Sequence, residues 1–124
     1  MDLLVSTRPG EGCTVVEVHG DLDMATYPQL RDGLQPLIGS RQVVVDLAGV
    51  GFMDSSALGT LVVMFKAMRD GGGRLCLAAV QRPVRTVLRV TSVDQVIDIY
   101  DTVQAAEDSI PSEGGSAARQ ASAR

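Results

Sequence analysis

Lysine, histidine, aromatic residues and cysteine are all scarce in this chain of 124 residues, and each scarcity closes off a class of function. A single lysine, Lys66, stands beside ten arginines, and the formal net charge is -4 with an isoelectric point near 4.8. That balance offers no electrostatic footprint for nucleic acid or an anionic membrane. His19 is the only histidine, it falls in a strand-like segment, and no GxSxG elbow occurs. A serine hydrolase would therefore lack a base beside its nucleophile. An aspartyl-phosphate receiver would need a lysine on a late strand, whereas Lys66 falls in the middle of a helical pattern. Cys13 and Cys76 lie too far apart for a CxxC redox or metal motif, and both read as reduced structural thiols. No Walker-type loop is present, and beyond Asp21 and Asp23 no side chains converge at ligand spacing, so no cofactor or metal is expected. No apolar run approaches the roughly 18 residues that span a bilayer, and Met1-Asp2-Leu3 carries no basic leader, so the expected location is cytoplasmic.

What the chain has in quantity is aliphatic side chains, since hydrophobic residues make up 45% and only Tyr27, Phe52, Phe65 and Tyr100 are aromatic. One hydrophobic core, and hence one domain, suits this length. Leu3 to Thr7 and Cys13 to Gly20 read as β-strands joined in a hairpin by Arg8-Pro9-Gly10-Glu11-Gly12. From Thr26 the spacing turns helical, with Leu30, Leu34, Leu37 and Ile38 on one face; Thr26 and Gln29 suit a capping box, and Pro36 should distort or end the helix. Val43 to Leu47 is a near-continuous apolar run of the kind found in strands covered on both faces. A loop over Gly49 to Met53 leads to a helix from Asp54 to Asp70, whose apolar stripe is Ala57, Leu58, Leu61, Val62, Phe65 and Met68. Gly71-Gly72-Gly73 ends it, and Leu75 to Val80 forms a further buried strand. Pro83 opens a third helix with Val84, Val87 and Leu88 inward, followed by a short strand at Gln95 to Ile99 and a helix over Tyr100 to Ile110. The segment from Pro111 to Arg124 has no apolar anchors and is expected to be disordered. The expected fold is α/β, with a mixed, mostly parallel sheet, an antiparallel edge hairpin and about four helices.

Asp54-Ser55-Ser56 is the most informative stretch, because it sets two hydroxyls at the start of an amphipathic helix directly after a strand. Unsatisfied N–H groups and partial positive charge at such a terminus suit an acceptor oxygen or a phosphoryl group. The alternative is that these residues only cap the helix, worth about 0.5–2 kcal/mol. Asp21 and Asp23 follow the second strand, and in a parallel arrangement their loop gathers on the same sheet edge as Asp54 to Ser56. They serve equally well as residues that cap and solvate a turn. Arg82, Arg85 and Arg89 form a basic stripe on the third helix, either a solvated face or a docking surface.

Four stretches in order carry a family resemblance: Gly20-Asp21-Leu22-Asp23, the valine strand ending Asp46-Leu47, Val50 to Gly59, and Gly72-Gly73-Arg74-Leu75. Together they resemble the STAS-domain family, in particular its stand-alone bacterial anti-sigma-factor antagonists, over approximately residues 2–108, which places the domain at 1–110. The resemblance implies a non-catalytic regulator that binds an anti-sigma-factor serine kinase when unphosphorylated, so freeing a sigma factor. The kinase then phosphorylates the antagonist and a serine phosphatase resets it. The acceptor maps to Ser55, with Ser56 as the neighbouring alternative, and the partner-binding surface to Asp21, Asp23, Phe52, Met53, Asp54, Ser55, Ser56 and Leu58. Ala57 stands where many members have glycine. Two other classes remain open: a scaffold or accessory subunit of a stress-sensing complex or membrane transporter, and a small nucleotide-binding domain. A phosphoserine adds about -1.5 to -2 charges beside Asp54. Helix N–H groups are expected to receive that phosphate, so the change falls on partner affinity rather than on the fold.

Overall fold

Residues 3–111 are described by the computed structural model. A five-stranded sheet runs in the order β1-β2-β3-β4-β5, formed by Leu4–Gly10, Cys13–His19, Gln42–Gly49, Arg74–Ala78 and Ile99–Tyr100. β1 and β2 are antiparallel, and every later neighbour is parallel. Four α-helices occur among the described residues: α1 (Tyr27–Leu34), α2 (Ser55–Asp70), α3 (Arg82–Val90) and α4 (Val103–Asp108). Parallel strands added always on the same side through crossovers of one hand place the crossover helices on one face of the sheet. Accordingly Leu30 and Leu34 of α1, Leu61 and Met68 of α2, and Val84 and Leu88 of α3 share one core with Val43, Val45, Leu47, Leu75 and Leu77.

Among the described residues, α4 is the helix that covers the opposite face. Ala106, with Val103 and Ile110 beside it, packs on Val15, Val44, Cys76 and Ala78. Period-two alternation sends Val43, Val45 and Leu47 to the three-helix side and Val44 to the α4 side, which is why β3 reads as a nearly unbroken apolar run.

Local differences from the sequence reading have identifiable causes. The hairpin strands continue to Gly10 and resume at Cys13, leaving Glu11-Gly12 as the turn. Pro9 fits inside β1 because that strand lies at the sheet edge, where a missing N–H costs no ladder bond. The capping box at Thr26 does not form. Its hydroxyl accepts from Asp23 N at 3.0 Å and donates to the Asp21 carbonyl at 2.7 Å, while Gln29 Oε1 accepts from Leu3 N. α1 ends at Leu34 and a 3-10 turn over Gln35–Leu37 follows, so Pro36 acts as expected, and Ile38 is left exposed rather than on the buried face. Val93–Gln95 is a 3-10 turn, which moves the last strand to Ile99–Tyr100 and the last helix to Val103. Ser92 starts that turn in the left-handed region, a conformation that local sequence pattern does not announce.

α2 ends on the glycine run in a Schellman arrangement. Gly73 N donates to the Met68 carbonyl at 2.8 Å and Gly72 N to that of Arg69 at 3.0 Å, with Gly72 at φ +89°. The glycines therefore turn the chain into β4, and a phosphate-cradling role for them has no support here. Except for Pro111, the tail expected over 111–124 lies outside the described residues.

Both cysteines are free thiols, Cys13 half-buried and Cys76 buried. Burial pushes the Cys76 thiol up to about 11, against a smaller downward pull from Arg74, with Asp98 and Cys13 adding lesser upward contributions. Because the folded value lies above the ordinary 9.0, this group's stabilising contribution is complete below pH 9 and lost as pH rises toward 11. Denaturant melts should therefore show an alkaline fall in stability between those limits that is shallower in Cys76→Ala. In the native protein a thiol reagent should label Cys13 well before Cys76.

Candidate functional site

The C-terminal ends of β2, β3 and β4 open on one sheet edge, and the loops there are joined by hydrogen bonds between main chains. Leu22 N donates to the Phe52 carbonyl at 2.9 Å and Asp54 N to the Leu22 carbonyl at 2.9 Å, making a short parallel bridge between Leu22 and Met53. The Asp21–Asp23 loop and the Asp54–Ser56 helix start thus lie side by side, as their positions after parallel strands predict. Gly49 makes room for the same junction, since a Cβ there would strike the His19 ring, and Gly20 N donates to its carbonyl at 3.0 Å.

Asp54 is the N-cap of α2, with extended backbone at φ -107°, ψ -177°. Its Oδ1 accepts from Ser56 N at 2.9 Å and Ala57 N at 3.2 Å, and its Oδ2 accepts from Met24 N at 3.1 Å. One carboxylate therefore caps the helix and ties down the loop after β2. Asp23 does similar work one loop away: its Oδ1 accepts from Ala25 N at 2.9 Å and Thr26 N at 3.1 Å. Asp21 is exposed, and its carbonyl holds the buried Thr26.

Ser55 is the first residue of α2 and its side chain is exposed, while Ser56 is half-buried. Among the described residues no hydrogen bond occupies the Ser55 hydroxyl. The cap at Asp54 alters one expectation: the N–H groups of Ser56 and Ala57 already have a carboxylate acceptor and are not open to a phosphate on Ser55.

Met53 and Leu58 are buried in the main core, so they support the site from beneath instead of lining its surface. Phe52, 49% exposed, presents an aromatic ring at the surface. A groove of about 610 Å³ runs between α1 and α2, lined by Met24, Tyr27, Arg31, Ser55, Thr60 and Val63 among others. Met24 is 71% and Val63 59% exposed, so this groove presents apolar surface to solvent. The sequence reading missed Met24, Tyr27, Arg31, Thr60 and Val63. The signal was present in the second face of α2, where Ser55, Gly59 and Val63 repeat every four residues beside Ser56 and Thr60.

The chain belongs to the STAS domain family, whose profile matches residues 5–106. It is 30% identical over 104 residues to the anti-sigma F factor antagonist of Paenibacillus polymyxa, covering 82% of this chain and 89% of that protein. The fold matches an anti-sigma factor antagonist from Mycobacterium paratuberculosis with a TM-score of 0.78 at 23% identity, covering 87% of this chain and 93% of the other. It also matches SpoIIAA of Bacillus: in the unphosphorylated form the TM-score is 0.70 at 20% identity, covering 85% and 94% of the two chains, and in the phosphorylated form 0.65 at 19%, covering 85% and 97%.

The double role of Asp54 leads to a measurable cost. Asp54→Ala should lower stability by about 1–2 kcal/mol, through the lost cap and the unpaired Met24 N–H. Asp54→Asn, which keeps an acceptor oxygen, should recover at least half of that loss in chemical denaturation.

Proposed function

We propose that the chain is an anti-sigma-factor antagonist. In its unphosphorylated form it binds an anti-sigma-factor serine kinase through the α1–α2 groove and the Phe52 loop, and the sigma factor held by that kinase is released. Transfer of the γ-phosphoryl group of ATP to Ser55 Oγ ends the association, and a serine phosphatase restores the hydroxyl. The observation that carries this reading is the exposed Ser55 hydroxyl, standing on the rim of an apolar groove at the first position of α2. Kinship with proteins named anti-sigma factor antagonists supports it.

The electrostatics follow from the occupied cap. A phosphate of about -1.5 to -2 charges on Ser55 meets the Asp54 carboxylate on the adjacent residue, and that carboxylate already holds the N–H groups of Ser56 and Ala57. With those two donors engaged, the phosphate carries its charge at the surface, beside the groove and toward any partner. An apolar contact surface becomes a charged one, and a partner must desolvate that charge or leave. The core residues beneath, Met53, Ala57 and Leu58, keep their packing.

Binding to the cognate kinase tests this. Ser55→Ala should bind like the unmodified protein and resist release by ATP, whereas Ser55→Asp should bind at least about tenfold more weakly. Both should melt within a few degrees of wild type, and equal affinities of the two variants would overturn the proposal. Val63→Asp, placing a charge in the groove eight residues from the acceptor, should weaken kinase binding by a similar factor while leaving thermal stability nearly unchanged, because Val63 is exposed.

A further inference from the structure

Three arginines on the outer face of α3 stand apart from the acids that outnumber them in this chain. Arg82, Arg85 and Arg89 are exposed, while Val84 and Leu88 on the opposite face are buried. Spacings of three and four keep the three guanidinium groups on one side of the helix, over about 10 Å at about 1.5 Å per residue. Arg8, Arg31, Arg69 and Arg74 form ion pairs with carboxylates, whereas among the described residues Arg82, Arg85 and Arg89 form none. α3 itself contains no carboxylate. At its C-terminal end Val90 is 74% exposed.

Beside the stripe lies a groove of about 350 Å³ lined by Arg85, Asp94, Asp98, Ile99 and Tyr100. Its mixed charge selects among occupants. A phosphate polymer or an anionic bilayer meets repulsion from Asp94 and Asp98 and gains nothing from Val90, whereas a protein segment places its carboxylates individually and adds an apolar side chain. Arginine also favours this class of partner, because its planar fork pairs with carboxylates bidentately and is more weakly hydrated than an ammonium group.

We propose that the outer face of α3 docks an acidic helical segment of a partner protein, its carboxylates pairing with Arg82, Arg85 and Arg89 and an apolar side chain resting on Val90. This surface is distinct from the α1–α2 groove. Gln81, just before α3, donates from Nε2 to the Ala48 carbonyl at 2.7 Å and anchors the helix start to the end of β3, and none of the three arginines lines the groove at Ser55. A partner held on α3 does not depend on the state of the Ser55 hydroxyl.

The test is an amide chemical-shift titration of the full chain with a synthetic helical peptide bearing glutamates at i, i+3 and i+7 and a leucine in the next turn. Perturbations confined to α3 and the 3-10 turn after it are expected, with affinity falling as salt rises from about 0.05 to about 0.3 M. The triple variant Arg82→Gln, Arg85→Gln, Arg89→Gln should bind the peptide at least about tenfold more weakly while melting like wild type, since all three side chains are exposed. Undiminished binding by that variant, shifts centred on Ser55, or no binding of the peptide would overturn the proposal. Tighter binding of single-stranded DNA or of phosphatidylglycerol vesicles at α3 would also overturn it and reassign the face. Because Ser55 is untouched, a failure here leaves the kinase-binding result standing, and the converse holds as well.

Discussion

The Asp54 carboxylate is the fastener on which the site depends. Its two oxygens accept three main-chain hydrogen bonds, two from the first turn of α2 and one from Met24 in the loop after β2. Beneath it, the bridge between Leu22 and Met53 extends the parallel pairing of β2 and β3 past their regular ends. Two loops that would otherwise move separately are therefore held in register at the sheet edge, and the groove between α1 and α2 inherits a fixed shape. Helix capping in this chain is as much a matter of positioning the loop after β2 as of satisfying the helix end.

That arrangement decides how a modification at residue 55 acts. At an uncapped helix terminus, a phosphate could fold back onto free N–H groups and hide part of its charge. Here Asp54 already holds the N–H groups of Ser56 and Ala57, so a charge added at residue 55 has fewer helix donors to fold onto. The same residue that stabilises the fold thus makes the surface sensitive to charge. Capping and loop positioning coincide at Asp54, above a core that includes Met53, Ala57 and Leu58.

The sequence revealed the alternation of strands and helices, the parallel strands and the meeting of the Asp21–Asp23 loop with the start of α2, because these follow from long periodic segments and from where strands end. It was less informative where tertiary contacts override local pattern. Thr26 and Gln29 have the spacing of a capping box, yet both side chains are engaged elsewhere, with Asp21, Asp23 and Leu3. Pro9 reads as a turn residue and lies in an edge strand instead. Met53 and Leu58 belong to the motif around Ser55 but face inward, whereas Met24 and Val63 lie outside any motif and line the groove. A motif marks a place on the chain, and the phase of the helix decides which of its members reach the surface.

That phase is fixed by packing. Ala57, Leu58, Leu61, Met64 and Met68 form the buried stripe of α2, and at 3.6 residues per turn their burial leaves Ser55, Gly59 and Val63 on the far side. Rotating the helix to hide Ser55 would draw this whole stripe out of the core, at a cost of roughly 1.5–3 kcal/mol for each large apolar side chain exposed. Exposure of the hydroxyl is consequently not a local accident of a loop. It is enforced by the same burial that holds α2 on the sheet, so the residue 55 hydroxyl stays presented as long as the domain is folded.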